Sequence, residues 1–256
     1  MERVLSERAA AGVQRITLNH PANKNALGAA MREALLGALT AALADAAVRA
    51  IILTGAGDFS AGGDLTQMDD LRTPAQARAR LKAAHQLVQL LGTAEKPVVA
   101  AVRGYAVGAG AGLALLADTI VMAEGAKIGF PFFRVGLVPD FGIAYTLARR
   151  VGHGQARQAL LYARTYTAEQ ALRTGLCDEV VADTALDARA LALAGELAAQ
   201  PAHALALTRR MLATLPNDLG ALLEQEAMAQ SLCWLTEDFA EGVAAFRDKR
   251  KPVFTR

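Results

Sequence analysis

Two glycine-dense segments constrain this chain more than any other feature of its sequence. Residues 55–64 (GAGDFSAGGD) and 104–112 (GYAVGAGAG) each follow a short apolar run, residues 48–53 and 98–102. Short buried-type strands that end in glycine loops belong to α/β folds, where ligands sit at strand C-termini. A helix beginning near Ala109 would point free backbone N–H groups at an anion. Two such amides, one from each loop, can converge on one oxygen as an oxyanion hole for a thioester or other carbonyl. The competing reading is that the glycines only make tight turns. Neither loop is a dinucleotide G-x-G-x-x-G or a P-loop, because no Gly-Lys-Ser/Thr follows.

The remaining pattern alternates strand and helix. Residues 12–19 (GVQRITLN) read as a strand and HPANKNALG as a turn and loop. A helix is expected over 28–44, then a strand over 48–53. The next helix carries Leu81, Ala84, His85, Val88 and Leu91 on one face and is broken by Lys96-Pro97. Strands follow at 98–102, 119–123 and 127–129, with a helix over 109–117 between the first two. Residues 131–142 read as loop. Helices are expected over 143–151, 155–161, 168–174, 186–199, 202–215, 218–229 and 237–246. The division expected is an α/β core over 1–190 and an all-helical region over 191–256.

Composition removes several classes. Lys and Arg number 27 against 25 Asp and Glu, a net charge of +2, so nothing drives the chain toward nucleic acid. The longest weakly polar stretch, 105–117, is glycine-bearing and shorter than a membrane span. Cys177 and Cys233 form neither a zinc cluster nor a disulfide scaffold. With no apolar leader after Met1-Glu2-Arg3, a cytoplasmic protein is expected. The four scattered histidines argue against a metal. Alanine is in excess, 57 of 256 residues, from genomic bias or unusually close packing.

KPVVAAVRGYAVGAGAGLALLAD (96–118) resembles the signature region of the crotonase, or enoyl-CoA hydratase/isomerase, superfamily. DFSAGGDL (58–65) is similar to that family's first oxyanion motif and IGFPFFRVGLVPDFG (128–142) to its second catalytic segment. HPANKNAL (20–27) and FRDKRKPVF (246–254) also match. The resemblance covers essentially the whole chain. It implies a ββα superhelical core with a C-terminal helical trimerisation region, and homotrimers or hexamers. It implies an acyl-CoA substrate, with coenzyme A as part of the thioester and no catalytic cofactor.

Carried over by motif, the oxyanion amides fall on Gly63 and Ala109. Alanine suffices there if its φ is not strongly positive. The two glutamates of the family's hydratases fall on Gly112 and Phe132, so both carboxylates are missing. Asp140 remains. In this it resembles the subset of phenylacetate-pathway ring-epoxide and Δ3,Δ2-enoyl-CoA isomerases. A double-bond shift needs one base, whereas hydration is helped by two groups. Phe132, Phe133, Leu137 and Phe141 are expected to wall Asp140 and raise its pKa. Ala61, Gly62, Leu65, Gly108, Gly112 and Pro139 are expected beside the acyl-CoA, and Lys24 and Lys249 on its phosphates. Asp64 is expected at the site or bracing its loop.

Other residues receive structural readings. Asp140 could be a turn aspartate, or a nucleophile as in the family's dehalogenases. Asp118 is expected to close a helix or bond a loop, and Asp69 and Asp70 to end a helix in solvent. His85 reads as a buried core histidine, Cys177 as a small buried hydrophobe and Trp234 as packing for the tail or a subunit contact. His20, His153 and His203 lie in no motif. Alternatives to an isomerase are a hydratase-like lyase, a decarboxylase or a silent acyl-CoA-binding member.

Overall fold

The computed structural model describes residues 2–67, 73–214 and 218–254. The chain opens with β1 (Val4–Ala10), β2 (Val13–Leu18), α1 (Ala29–Ala44) and β3 (Ala50–Gly55). It continues through α2 (Pro74–Gly92), β4 (Val98–Val102), β5 (Tyr105–Val107), α3 (Ala109–Leu115), β6 (Thr119–Ala123) and β7 (Lys127–Gly129). After α4 (Ile143–Leu161) come β8 (Thr165–Thr167), α5 (Ala168–Thr174), β9 (Glu179–Val181) and α6 (Leu186–Ala198). Then α7 (Ala202–Thr214), α8 (Leu219–Cys233) and α9 (Glu237–Arg247) form the tail.

The main sheet runs β1-β2-β3-β4-β6-β9, antiparallel at β1 and parallel elsewhere. β3 and β4 are buried along their whole length, as strands covered on both faces must be. The second sheet is β5-β7-β8. The chain turns from β4 into β5, then α3, and again from β6 into β7, then α4, so successive strand–strand–helix units stack. Each unit carries one main-sheet strand, one short strand and a helix.

Most elements fall where the sequence places them. The two helices expected over 143–161 join as α4, with Gly152 at φ 78 and ψ 156 breaking the helical path between them. β1, β5, β8 and β9 are additions: β1 shows a mostly exposed edge, and the other three have three residues each. The expected division at residue 190 falls inside α6, whose Ala190, Ala194 and Ala198 are buried in the core. Those small side chains let α6 approach the sheet closely, which gives part of the alanine excess a packing role. His85 corrects its sequence reading: α2 buries Ala84, Leu87 and Leu91, and His85 is exposed. Asp69 and Asp70 lie outside the described residues. Among the described residues no helix is long and apolar enough to cross a membrane.

Candidate active site

The first glycine loop is held against the second by backbone hydrogen bonds. Phe59 N–H donates to Arg103 O (2.9 Å), Ser60 N–H to Tyr105 O (2.8 Å) and Val107 N–H to Ser60 O (2.9 Å). The early loop locks onto the same place through Asn25, fully buried at φ 54. Its Nδ2 donates to Asp58 O (2.6 Å) and Ala56 O (3.1 Å), and its Oδ1 accepts from His20 N–H (2.6 Å). Ser60 Oγ donates to Asn25 O (2.8 Å) and accepts from Gly62 N–H (3.1 Å). Leu27 N–H donates to Gly62 O (2.7 Å). Sequence reasoning missed Asn25, Asp58 and Ser60. The buried-type polar residues in HPANKNAL and DFSAGGDL were the available signal.

Gly62 has φ +91, and a Cβ there would lie 2.4 Å from Val107 O and 3.2 Å from Ala109 N. A Cβ on Gly110 would lie 2.5 Å from Ser60 O. Only glycines allow the two loops this approach. Ala109 opens α3, is buried, and is not among the residues with positive φ. Among the described residues, the Gly63 and Ala109 N–H groups have no hydrogen-bond partner. Gly108 turns at φ 55, with Phe132 Cζ 3.8 Å from the place of its Cβ.

Asp140 precedes Phe141 at φ 56 and Gly142 at φ 73, an unusual left-handed pair that turns the chain into α4. Its carboxylate is half-buried, and Oδ1 is buried with no partner. Burial raises its pKa, while His85, a backbone N–H, Arg80 and Arg32 work to lower it. Phe141 is buried, and a Cβ on Gly112 would lie 2.9 Å from Phe141 Cβ and 3.0 Å from Ile143 Cγ1. Gly112 packs under Phe141 and Ile143, which leave no space for a side chain there. The same contact ties the Asp140 turn to α3, one helical turn beyond Ala109.

The other expected residues divide. Phe132 and Phe141 are buried beside these loops, whereas Phe133, Leu137 and Leu65 remain exposed, as does Ala61, and Pro139 is half-buried. Asp64 braces its own loop, accepting from Thr66 Oγ1 (2.7 Å), Thr66 N–H (3.2 Å) and Gln67 Nε2 (2.8 Å). Lys24 is exposed at φ 51, with Nζ 4.8 Å from the Tyr105 ring centroid. Lys249 is exposed at φ 55 just beyond α9, and no described hydrogen bond or ion pair joins it to the glycine loops. Asp118 accepts from Val98 N–H (2.7 Å) and from Arg209 Nε (2.7 Å), tying α7 to the core. Cys177 is buried, and burial with the nearby Asp178 charge pushes its thiol up to about 11. A separate cavity of about 790 Å³ lies at the other end of α3, lined by Leu91, Leu116, Leu207 and Arg149 among others, away from the paired amides.

Two unpartnered amides from convergent loops, with a carboxylate that keeps one unpartnered oxygen on the adjoining turn, can remove a proton beside a carbonyl and hold the resulting oxyanion. The family profile for enoyl-CoA hydratase/isomerase matches residues 8–256. A probable enoyl-CoA hydratase of Rhodobacter capsulatus is 41% identical over 247 residues, covering 95% of each chain. A 1,2-epoxyphenylacetyl-CoA isomerase of Escherichia coli is 37% identical over 260 residues, covering 100% of this chain and 99% of its own. The crystal structure of an enoyl-CoA hydratase from Bacillus anthracis superposes with a TM-score of 0.93 at 30% identity, covering 98% of each chain. The chain belongs to the enoyl-CoA hydratase/isomerase family and has the crotonase fold.

Proposed function

We propose that this protein shifts a double bond in an acyl-CoA, from the Δ3 to the Δ2 position or in a related ring isomerisation, with Asp140 as its single base. The carboxylate takes a proton from C2 of a 3-enoyl thioester. The electron pair moves into the carbonyl, whose oxygen is held by the Gly63 and Ala109 N–H groups. Protonated Asp140 then returns the proton to C4, leaving the double bond between C2 and C3. Coenzyme A enters only as part of the substrate.

One observation carries this reading. Where the hydratase acids would fall stand a buried glycine with Phe141 and Ile143 against it and a buried phenylalanine, while Asp140 has a buried, unpartnered oxygen. The named hydratases among the relatives favour hydration as the second reading. The test is turnover of 3-enoyl-CoA against 2-enoyl-CoA, with Asp140→Asn as control. Double-bond shift that disappears in the variant supports the proposal. Hydration of 2-enoyl-CoA without any shift overturns it. Assembly as a homotrimer or hexamer in the cytoplasm belongs to the same reading. The tail exposes Leu219, Leu223, Met228, Leu232, Trp234, Leu235 and Phe246, a surface that suits a subunit contact.

A further inference from the structure

The turn that carries Asp140 lies against α2. A Cβ on Gly142 would lie 3.2 Å from Val88 Cγ1, so α2 touches the chain two residues beyond Asp140. His85 is one helical turn before Val88 on the same face. Burial is the largest influence on the Asp140 carboxyl, and His85, Arg80 and Arg32 act against it. Both arginines are tied to backbone carbonyls, although Arg32 Nε is buried without a partner. Arg80 donates to Gln67 O (3.1 Å) and Asp64 O (3.5 Å), and Arg32 Nη1 donates to Leu27 O (2.7 Å). A guanidinium has no acceptor site and does not release its proton in proteins. His85 is exposed and makes no hydrogen bond among the described residues. Of these three basic side chains, only the imidazole can both take and give a proton.

We propose that His85 passes the Asp140 proton to and from solvent while the acyl group covers the carboxylate. Protonated Asp140 gives its proton to one ring nitrogen through intervening water. The other ring nitrogen releases a proton to bulk water, and the reverse sequence reloads Asp140. Protons balance and no co-reactant is involved. His85 acts through Asp140 and not on the substrate, so the inference rests on Asp140 being the base.

Isotope exchange tests this. A linear 3-enoyl-CoA is converted in D2O, and deuterium at C4 of the product is measured per turnover for wild type, His85→Gln and His85→Asn. Circular dichroism checks that each variant is folded. Wild type is expected to incorporate solvent deuterium. The variants are expected to incorporate roughly tenfold less, with kcat falling by less than that, because the C2 proton then returns directly to C4. Unchanged incorporation in both variants overturns the inference. Loss of turnover to the level of Asp140→Asn also overturns it, since His85 would then be a reacting group.

A second probe separates this from the isomerase reading. Exchange of the C2 protons of butanoyl-CoA with D2O needs only the base and the oxyanion amides. Wild-type exchange that slows in the His85 variants supports the relay even if no double bond is shifted. A double-bond shift with exchange indifferent to His85 leaves the isomerase standing and removes the relay.

Discussion

Gly62→Ala probes the contact on which the paired amides depend. Its φ of +91 is a region that L side chains rarely adopt, and occupying it costs about 1–3 kcal/mol. The added Cβ would sit 2.4 Å from Val107 O, against about 3.4 Å for ordinary contact, so the loops must part by about 1 Å. Overpacking of that size adds about 1–3 kcal/mol, for a total of about 2–6 kcal/mol. The same displacement carries the Gly63 and Ala109 amides out of register, and about 1 Å of misplacement costs on the order of 10²-fold in rate. Urea denaturation and steady-state turnover of 3-enoyl-CoA measure the two effects. Gly175→Ala is the control: its φ is +77 but nothing lies within 4 Å of its Cβ. It should lose only the backbone cost, about 1–2 kcal/mol, with turnover unchanged. If Gly62→Ala matches the control in both stability and turnover, the loops are not packed as described and the argument for an oxyanion site fails.

Asp140→Asn should lower kcat by about 10³-fold or more while acyl-CoA binding, followed by calorimetry, persists. Because burial raises the Asp140 pKa, its contribution to stability is present at acid pH and lost as pH rises through the folded value. The Asn variant should therefore equal or exceed wild type in stability at neutral pH, and wild-type turnover should fall as pH drops and the base is protonated. Asn25→Ala strands Ala56 O, Asp58 O and His20 N–H, and should cost about 3 kcal/mol in denaturant titration with loss of turnover. Glu241 is drawn down to about 2 by hydrogen bonds from Arg250 and Val253 N–H. Its support for the tail is present above its ordinary value of 4.5 and lost as pH falls toward 2. Hydrogen exchange of residues 248–254 should accelerate over that range, and in Glu241→Gln at neutral pH.

Some of this protein is written in short-range pattern. Residues 98–102, 119–123 and 127–129 are strands, and 168–174 is a helix, at the bounds their hydrophobicity and flanking residues predict. The two glycine loops, and Asp140 in a loop after proline, were likewise legible, because turns and periodicity depend on neighbours a few residues away. Tertiary structure alone decided the rest. β8 and β9 have three residues each and exist because β7 and β6 offer backbone partners. Asn25 matters through carbonyls more than thirty positions ahead, and Gly112 is closed by side chains from the far end of the 131–142 loop. His85 reads as one stripe with Leu81 and Val88, yet α2 turns Leu87 to the core and leaves the imidazole exposed near Asp140. Helical spacing says which residues share a face. Only the packing of α2 on the Asp140 turn says what that face meets.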